Sequence, residues 1–278
     1  MAKIDESFVK VRNLKKYFKT GTEIPFLKSP PAVKAVENVS FDVFKGETLG
    51  VVGESGCGKS TVARLLIQLI KPDAGEIIID GLAVEKRGGI STRDLRHRMQ
   101  MVFQDSYATL NPRMPIEESI AFGPISNGKK PSEAMLKSKH VMDQVGLDPN
   151  IYLHRYPHEL SGGQRQRVNI ARALAMGPEV IILDEAVSAL DKSVEAQVLN
   201  LLTDLKSDLK LTYIFISHDL NVVKYISDKV MVMYLGEVVE YGTVEEVYNT
   251  PKHPYTEALL ASQPSMDPSR KLDTVPIT

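Results

Sequence analysis

Three glycines, a lysine and a serine lie where an apolar run gives way to a helical pattern. The apolar run Thr48–Val52 predicts a buried strand, and Thr61–Ile67 predicts a helix. Glycines between them let backbone N–H groups approach phosphate oxygens without a Cβ in the way. Lys59 would reach the β- and γ-phosphates, and the Ser60 hydroxyl would ligate Mg²⁺. The predicted phosphate-binding residues are Gly53, Glu54, Ser55, Gly56, Cys57, Gly58, Lys59, Ser60 and Thr61.

A second candidate element places two carboxylates at the end of an apolar run. Val180–Leu183 predicts a buried strand, and Asp184 and Glu185 follow it directly. Ligands of open α/β sheets lie outside the carboxyl ends of the strands, where these side chains emerge. Asp184 therefore fits the Mg²⁺-associated acid, and Glu185 fits a base that polarises the attacking water.

A third element joins two glycines to the start of a helix. Leu160 is followed by Ser161, Gly162, Gly163 and Gln164, and helical character continues through Arg165–Arg172. The glycines free the backbone, and the N-terminus of a helix attracts anions. This segment is therefore a second candidate site for a phosphate group.

Together these three elements resemble the ATP-binding cassette (ABC) ATPases, and the similarity runs over most of the chain. The resemblance implies an α/β fold: a P-loop NTPase core of ABC ATPase type, an antiparallel β subdomain and an inserted helical subdomain. The expected ATPase domain spans residues 1–250, with the helical subdomain at about 106–177. Residues 251–278 would form a short C-terminal extension.

The resemblance also implies roles for residues outside these elements. Gln104 would contact Mg²⁺ or the attacking water, so the implied metal ligands are Ser60, Gln104 and Asp184. His218 would sense the γ-phosphate, which makes Glu185, His218 and Gln104 the implied catalytic residues. Asp191 lies in the loop that crosses to a second subunit, and Ser161–Gln164 would close over ATP held by that subunit. An aromatic ring would stack on adenine. Phe18 has the better offset from Leu14 and Tyr17 is the alternative, while a role in core packing stays open for both rings.

Two further motifs resemble the oligopeptide and dipeptide importer ATPases: Tyr107–Arg113 and His253–Leu260. They imply an ATP-hydrolysing subunit that works with transmembrane permease subunits and a second ABC ATPase subunit, identical or homologous. An extracytoplasmic solute-binding protein would act indirectly. Two alternatives stay open: an importer of another solute, such as nickel or sugars, and an ABC ATPase acting on nucleic acid or ribosomes. The single cassette without a long coiled-coil insertion disfavours the second alternative.

The charge and hydropathy of the chain limit the partners it can bind and the compartment in which it can work. The 278 residues include 34 basic and 35 acidic side chains, so no general basic footprint predicts a nucleic-acid partner. The sequence contains no run of about eighteen apolar residues, and Met1–Glu6 has no apolar secretory core. These features favour the cytosol. The importer resemblance implies a peripheral protein at the cytoplasmic face of the cell membrane, with ATP and Mg²⁺ as cofactors.

Local patterns predict the remaining elements. Thr20–Pro31, with three prolines, predicts a surface insertion or hairpin tip. Predicted strands are Phe8–Val11, Val39–Val43, Glu76–Gly81 (running into a turn), Lys229–Tyr234 and Glu237–Tyr241. Predicted helices are Lys137–Val145, Gln164–Met176 and Ser193–Leu209.

Overall fold

The computed structural model describes residues 7–19, 32–105 and 107–262. The predicted hairpin tip, Thr20–Pro31, lies outside these residues. The strands are β1 Val9–Lys19, β2 Ala32–Val43, β3 Thr48–Val52, β4 Ala74–Ile79, β5 Leu82–Ala83, β6 Met99–Val102, β7 Val180–Asp184, β8 Thr212–Ile216, β9 Lys229–Tyr234 and β10 Glu237–Thr243. The helices are α1 Lys59–Leu66, α2 Thr92–Arg98, α3 Ile116–Ser126, α4 Pro131–Gln144, α5 Pro149–Tyr152, α6 Gly162–Leu174, α7 Lys192–Leu209, α8 Leu220–Ile226, α9 Val244–Asn249 and α10 Pro254–Ala261, with a 3₁₀ turn at Pro157–Glu159.

The chain forms two compact units, of which the first runs to Thr92 and resumes at Phe215. An antiparallel sheet in this unit has the strand order β2-β1-β4-β5. Val9 in its centre lies opposite Val43 on one side and Ile79 on the other, and all three side chains are fully buried. The predicted antiparallel β subdomain is confirmed.

The first unit also contains the strand that leads into the phosphate loop. β3 pairs in parallel with β9, and β9 pairs antiparallel with β10. All five residues of β3 are buried, as expected for a parallel strand covered on both faces. The end of β3 is therefore a fixed base for the loop that follows.

The second unit comprises Arg93–Ile214. Here β6 pairs in parallel with β7, with Met101 opposite Ile182. Helices α3, α4 and α6 pack against one another, and the described residues between 107 and 177 contain helices without any strand. The predicted bounds of the helical subdomain and of the C-terminal extension stay predictions.

The long helix α7 shows how the sequence pattern places one of the site loops. Val198, Leu202 and Leu205 recur at helical spacing and are buried on one face. Asp191 stands at the N-cap, so the polar loop before the helix is anchored to a buried element. Within the part of the chain that the structure describes, no helix combines the length and the apolar composition needed to cross a bilayer.

Candidate nucleotide-binding site

The phosphate loop connects β3 to α1, and two of its glycines are sterically required. A Cβ on Gly53 would lie 2.2 Å from the Met233 carbonyl oxygen, and one on Gly58 would lie 2.3 Å from that of Ala35. Gly58 is also the N-cap of α1 in a left-handed conformation, with φ of 110° and no side-chain cap. No side chain at the N-cap therefore accepts the backbone N–H groups of the first turn of α1, and such N–H groups can bind an anion.

Lys59 is buried inside the loop, with only 5% of its surface exposed. Its Nζ donates to the carbonyl oxygens of Gly53 (2.7 Å) and Glu54 (2.8 Å). Cys57 Sγ lies 3.8 Å away, and burial raises the pKa of this thiol, so it stays neutral beside the ammonium group. The loop thus holds one positive charge among its own carbonyls.

Two other predicted site residues belong to the same unit. Ser217 donates its N–H to the Val51 carbonyl (3.3 Å), which places His218, exposed, beside the end of β3. Phe18 has 43% of its surface exposed. Tyr17 instead donates its hydroxyl to Glu37 at 2.7 Å. Neither ring belongs to the buried core. The stacking of Phe18, or alternatively of Tyr17, on adenine stays a prediction.

In the second unit the two carboxylates follow β7 as predicted. Asp184 is 5% exposed, whereas Glu185 is half-buried and has φ of 49°, a left-handed conformation that is unfavourable for a side chain with a Cβ. Ser188 stabilises this turn by donating its N–H (3.2 Å) and its hydroxyl (2.9 Å) to the Glu185 carbonyl. Exposed Gln104 donates its amide Nε2 to Glu185 Oε2 at 3.0 Å. The structure therefore brings together two of the three predicted catalytic residues.

The start of α6 is a reciprocal cap. Ser161 Oγ accepts the N–H of Gln164 (3.3 Å), and the Gln164 side chain accepts the N–H of Ser161 (2.9 Å). Because a serine hydroxyl also carries a proton, Ser161 can accept from the helix and still donate to an external oxygen. Gly163 packs against α7, where a Cβ would lie 2.4 Å from Val194 Cγ1, whereas one on Gly162 would meet Leu190 Cδ2 at 3.6 Å.

Asp191 also has a structural role. Its Oδ1 accepts the N–H of Val194 (3.0 Å) and the hydroxyl of Ser193 (2.8 Å). These hydrogen bonds, that of Val194 first, lower the pKa of the carboxyl group. The predicted contact of Asp191 with a second subunit stays a prediction.

The predicted metal ligands offer a hydroxyl, an amide oxygen and a carboxylate, which are the hard oxygen donors that Mg²⁺ prefers. Ser60 belongs to the first unit, and Gln104 and Asp184 belong to the second. The described residues contain no cluster of three or more His, Cys, Asp or Glu side chains arranged to hold a metal by themselves. The donor set fits an ion whose shell is completed by phosphates and water.

Two supports of the phosphate loop were missed by the sequence predictions. Tyr255 accepts the Glu54 N–H at its hydroxyl (3.0 Å), and Gly236 donates its N–H to the Cys57 carbonyl (3.0 Å). Tyr255 lies in a motif that the sequence does single out, but its partner is 201 residues away along the chain. No local pattern shows such a contact.

Comparison with known proteins defines the class. Residues 36–188 match the family described as "ABC transporter". Residues 239–278 match the family described as "Oligopeptide/dipeptide transporter, C-terminal region". The chain belongs to the ABC transporter family, and it is an ATP-binding ATPase of the cassette type. The predicted fold class and family are confirmed.

Similar curated proteins cover most of the chain. The oligopeptide transport ATP-binding protein OppF of Bacillus subtilis (strain 168) is 46% identical over 277 residues, which are 97% of this chain and 87% of that protein. The OppF protein of Haemophilus influenzae is 52% identical over 245 residues, 87% of this chain and 74% of that protein.

Solved structures show the same fold. The cbiO1 protein from Clostridium perfringens, described as part of an ABC transporter complex, is 28% identical with a TM-score of 0.75, covering 88% of this chain and 92% of that one. A dimeric ATP-binding cassette in a post-hydrolysis state, bound to ADP and Pi, is 28% identical with a TM-score of 0.70, covering 85% and 98%.

Proposed function

We propose that the chain is the ATP-hydrolysing subunit of a membrane ABC importer for oligopeptides or dipeptides. The observation that carries this proposal is the match of residues 239–278 to the oligopeptide/dipeptide transporter C-terminal family. Two relatives named as oligopeptide transport ATP-binding proteins support it, since their similarity extends over at least 87% of the chain.

The proposed chemistry is phosphoryl transfer to water, which depends on positioning and electrostatics rather than on a covalent protein intermediate. The phosphate loop binds the β- and γ-phosphates of ATP through its N–H groups and Lys59. Glu185 orients and deprotonates the attacking water, and His218 contacts the γ-phosphate. The hydrogen bond between Gln104 and Glu185 supports a shared task for these two residues.

Mg²⁺ would be held by Ser60, Gln104 and Asp184 and would neutralise charge on the phosphate oxygens. Two observations support this proposal. The donors are all hard oxygens, and the carboxylate of Asp184 is buried at the end of β7. Ligands of open α/β sheets bind outside the carboxyl ends of the strands, which is where this carboxylate lies.

We propose further that two ABC ATPase subunits, identical or homologous, work as a pair that docks on transmembrane permease subunits at the cytoplasmic face of the membrane. An extracytoplasmic solute-binding protein then delivers the peptide, and nucleic acid is not a partner. A dimeric cassette of similar fold, bound to ADP and Pi, supports the pairing. The hydroxyl of Ser161, which can donate as well as accept, and the amides at the start of α6 would cover ATP held by the other subunit.

The test compares two variants in the reconstituted transporter. Glu185→Gln keeps the shape of the side chain and should retain ATP binding while turnover falls at least about 100-fold, the usual contribution of a general base. Lys59→Ala should weaken ATP binding itself. Peptide uptake into vesicles should stop in both variants. Near-normal hydrolysis by Glu185→Gln would contradict its role, and uptake of a metal ion or a sugar instead of peptide would contradict the proposed solute.

A further inference from the structure

The phosphate loop is held by two residues from the C-terminal part of the first unit. At its start, the N–H of Glu54 donates to the hydroxyl of Tyr255 (3.0 Å). In its middle, the carbonyl of Cys57 accepts the N–H of Gly236 (3.0 Å). Gly236 lies in the turn between β9 and β10, and Tyr255 lies in α10. Two separate elements therefore fix the backbone of one loop.

The position of Tyr255 is itself tightly determined. The backbone N–H of Tyr255 donates to Nδ1 of His253, the N-cap residue (3.1 Å), and Pro254 is the first residue of the helix. Glu240 of β10 accepts the N–H of His253 (3.2 Å) and so ties the start of α10 to the sheet. The ring of Tyr255 packs on that of Tyr234, with 4.2 Å between centroids, and only 6% of the residue is exposed.

The chemistry of the hydroxyl suits a tether for a backbone amide. A phenol oxygen accepts a hydrogen bond while it keeps its own proton. Burial raises the pKa of Tyr255, which keeps the group neutral. Glu54 is the first residue after Gly53, the point at which the backbone leaves β3. A tether there restricts how the following N–H groups are aimed.

We propose that Tyr255 is a positioning residue for nucleotide binding: through Glu54, helix α10 holds the phosphate loop in the conformation that accepts phosphate. The inference rests on the proposed ATP-binding role of the loop. Tyr255 touches the loop backbone and acts on the nucleotide only through it. Helix α10 thereby contributes, through the loop, to the affinity of the cassette for ATP.

The size of the effect follows from population shift. When a binding-competent conformation is only partly populated, the apparent Kd rises in inverse proportion to its population. One net hydrogen bond changes the equilibrium constant between the binding-competent and the other loop conformations by about three- to tenfold. Tyr255→Phe should therefore raise the Kd for ATP and for ADP alike, by up to about tenfold, because both nucleotides place a β-phosphate in the loop.

The experiment titrates the full chain with a fluorescent ATP analogue and with ADP, and measures the Tm without nucleotide. Tyr241→Phe is the matched control. The hydroxyl of Tyr241, on β10 away from the loop, also bonds to the backbone, in this case by donating to the carbonyl of Asp42 (2.6 Å). The control should keep the wild-type Kd. The inference is supported if both variants show a small fall in Tm but only Tyr255→Phe shows a change in Kd.

Equal Kd values for Tyr255→Phe, Tyr241→Phe and the wild type would overturn it. If the wild type itself binds no ATP, the proposed function fails instead. Amide hydrogen exchange on the wild type gives a second test that needs no variant. Slow exchange at Glu54 without nucleotide supports the tether, and exchange as fast as in an unstructured loop overturns it.

Discussion

Gly163→Ala tests the packing role of Gly163 at the start of α6. The added Cβ would lie 2.4 Å from Val194 Cγ1. An ordinary carbon–carbon contact is about 3.5–4.0 Å, so α6 or Val194 must move by about 1 Å. Val194 has little freedom to turn away, because a β-branched side chain is stiff and its N–H is held by Asp191 (3.0 Å).

The expected cost follows from this crowding. Overpacking of this kind costs about 1–3 kcal/mol. The better helix propensity of alanine returns up to about 1 kcal/mol. We therefore expect the free energy of unfolding to fall by about 1–2 kcal/mol. At about 2–4 °C for each kcal/mol, the Tm should fall by about 2–8 °C.

Thermal unfolding monitored by circular dichroism measures the effect, and Gly162→Ala is the control. A Cβ at Gly162 would meet Leu190 Cδ2 at 3.6 Å, an ordinary contact, and neither glycine has a positive φ. The control should therefore be as stable as the wild type, or more stable by up to about 1 kcal/mol because alanine favours the helix. Val194→Ala should partly rescue Gly163→Ala, because it removes the clashing methyl group.

Two results would refute this reasoning. If Gly163→Ala and Gly162→Ala have the same Tm, close packing against α7 does not require a glycine at position 163. If the double variant with Val194→Ala is no more stable than the sum of the single effects predicts, the clash lies elsewhere.

Three other predictions concern assembly, metal and pH. Mixing a Lys59→Ala subunit with a Ser161→Arg subunit should restore part of the ATPase activity, since one composite site survives; a mixture never more active than either variant alone would rule out shared sites. ATPase activity should require Mg²⁺ or Mn²⁺, and full activity in excess EDTA would contradict the proposed ligands. Hydrogen bonds from Lys15, then Tyr17 and Lys34, lower the pKa of Glu37 from 4.5 to about 2. The stability that this carboxylate contributes is present above pH 4.5 and lost as pH falls toward 2, so urea unfolding of Glu37→Gln should depend less on pH across that window.

The elements next to the phosphate loop could be predicted because their signals are local. β3 spans Thr48–Val52 in both the prediction and the structure, since an apolar run ends at a glycine. Helix α7 begins at Lys192, one residue before the predicted start, and ends at Leu209 as predicted. A polar cap before a periodic apolar stripe specifies such a helix almost completely.

Strand β1 was predicted only in part. The prediction covers Phe8–Val11, whereas the strand begins at Val9 and continues to Lys19. Asn13 has φ of 49°, and the pairing with β2 shifts register three times between Val11 and Tyr17. Each bulge reverses which side chains face inward, so the period of two disappears from the sequence.

Helix α3 was missed for a different reason. Gly123 and Pro124 occur next to each other near its end and predict a break. Pro124 is nevertheless buried in the last turns of Ile116–Ser126. Packing against α4 and α6 overrides the local signal there.

The candidate site residues could be named from motifs, whereas the residues that hold them in place could not. Gln104 bonds to Glu185 across 81 positions, and Tyr255 reaches Glu54 across 201. Because neither contact leaves a local pattern, only the folded chain shows it. Ser161 is the exception, since its partner Gln164 is three residues away and forms a recognisable cap.

These supporting contacts have a common energetic consequence. A loop ordered before the ligand arrives loses less conformational entropy on binding, so more of the contact energy contributes to affinity. The Glu54 amide is fixed by Tyr255, and the turn at Glu185 is fixed by Ser188. The side chains of these supports need not touch ATP to change its affinity or its rate of hydrolysis. Substitutions at such positions should therefore change ATP affinity or hydrolysis in the same way as substitutions of ligand-site residues, but to a smaller extent. A general loss of stability would not produce this effect.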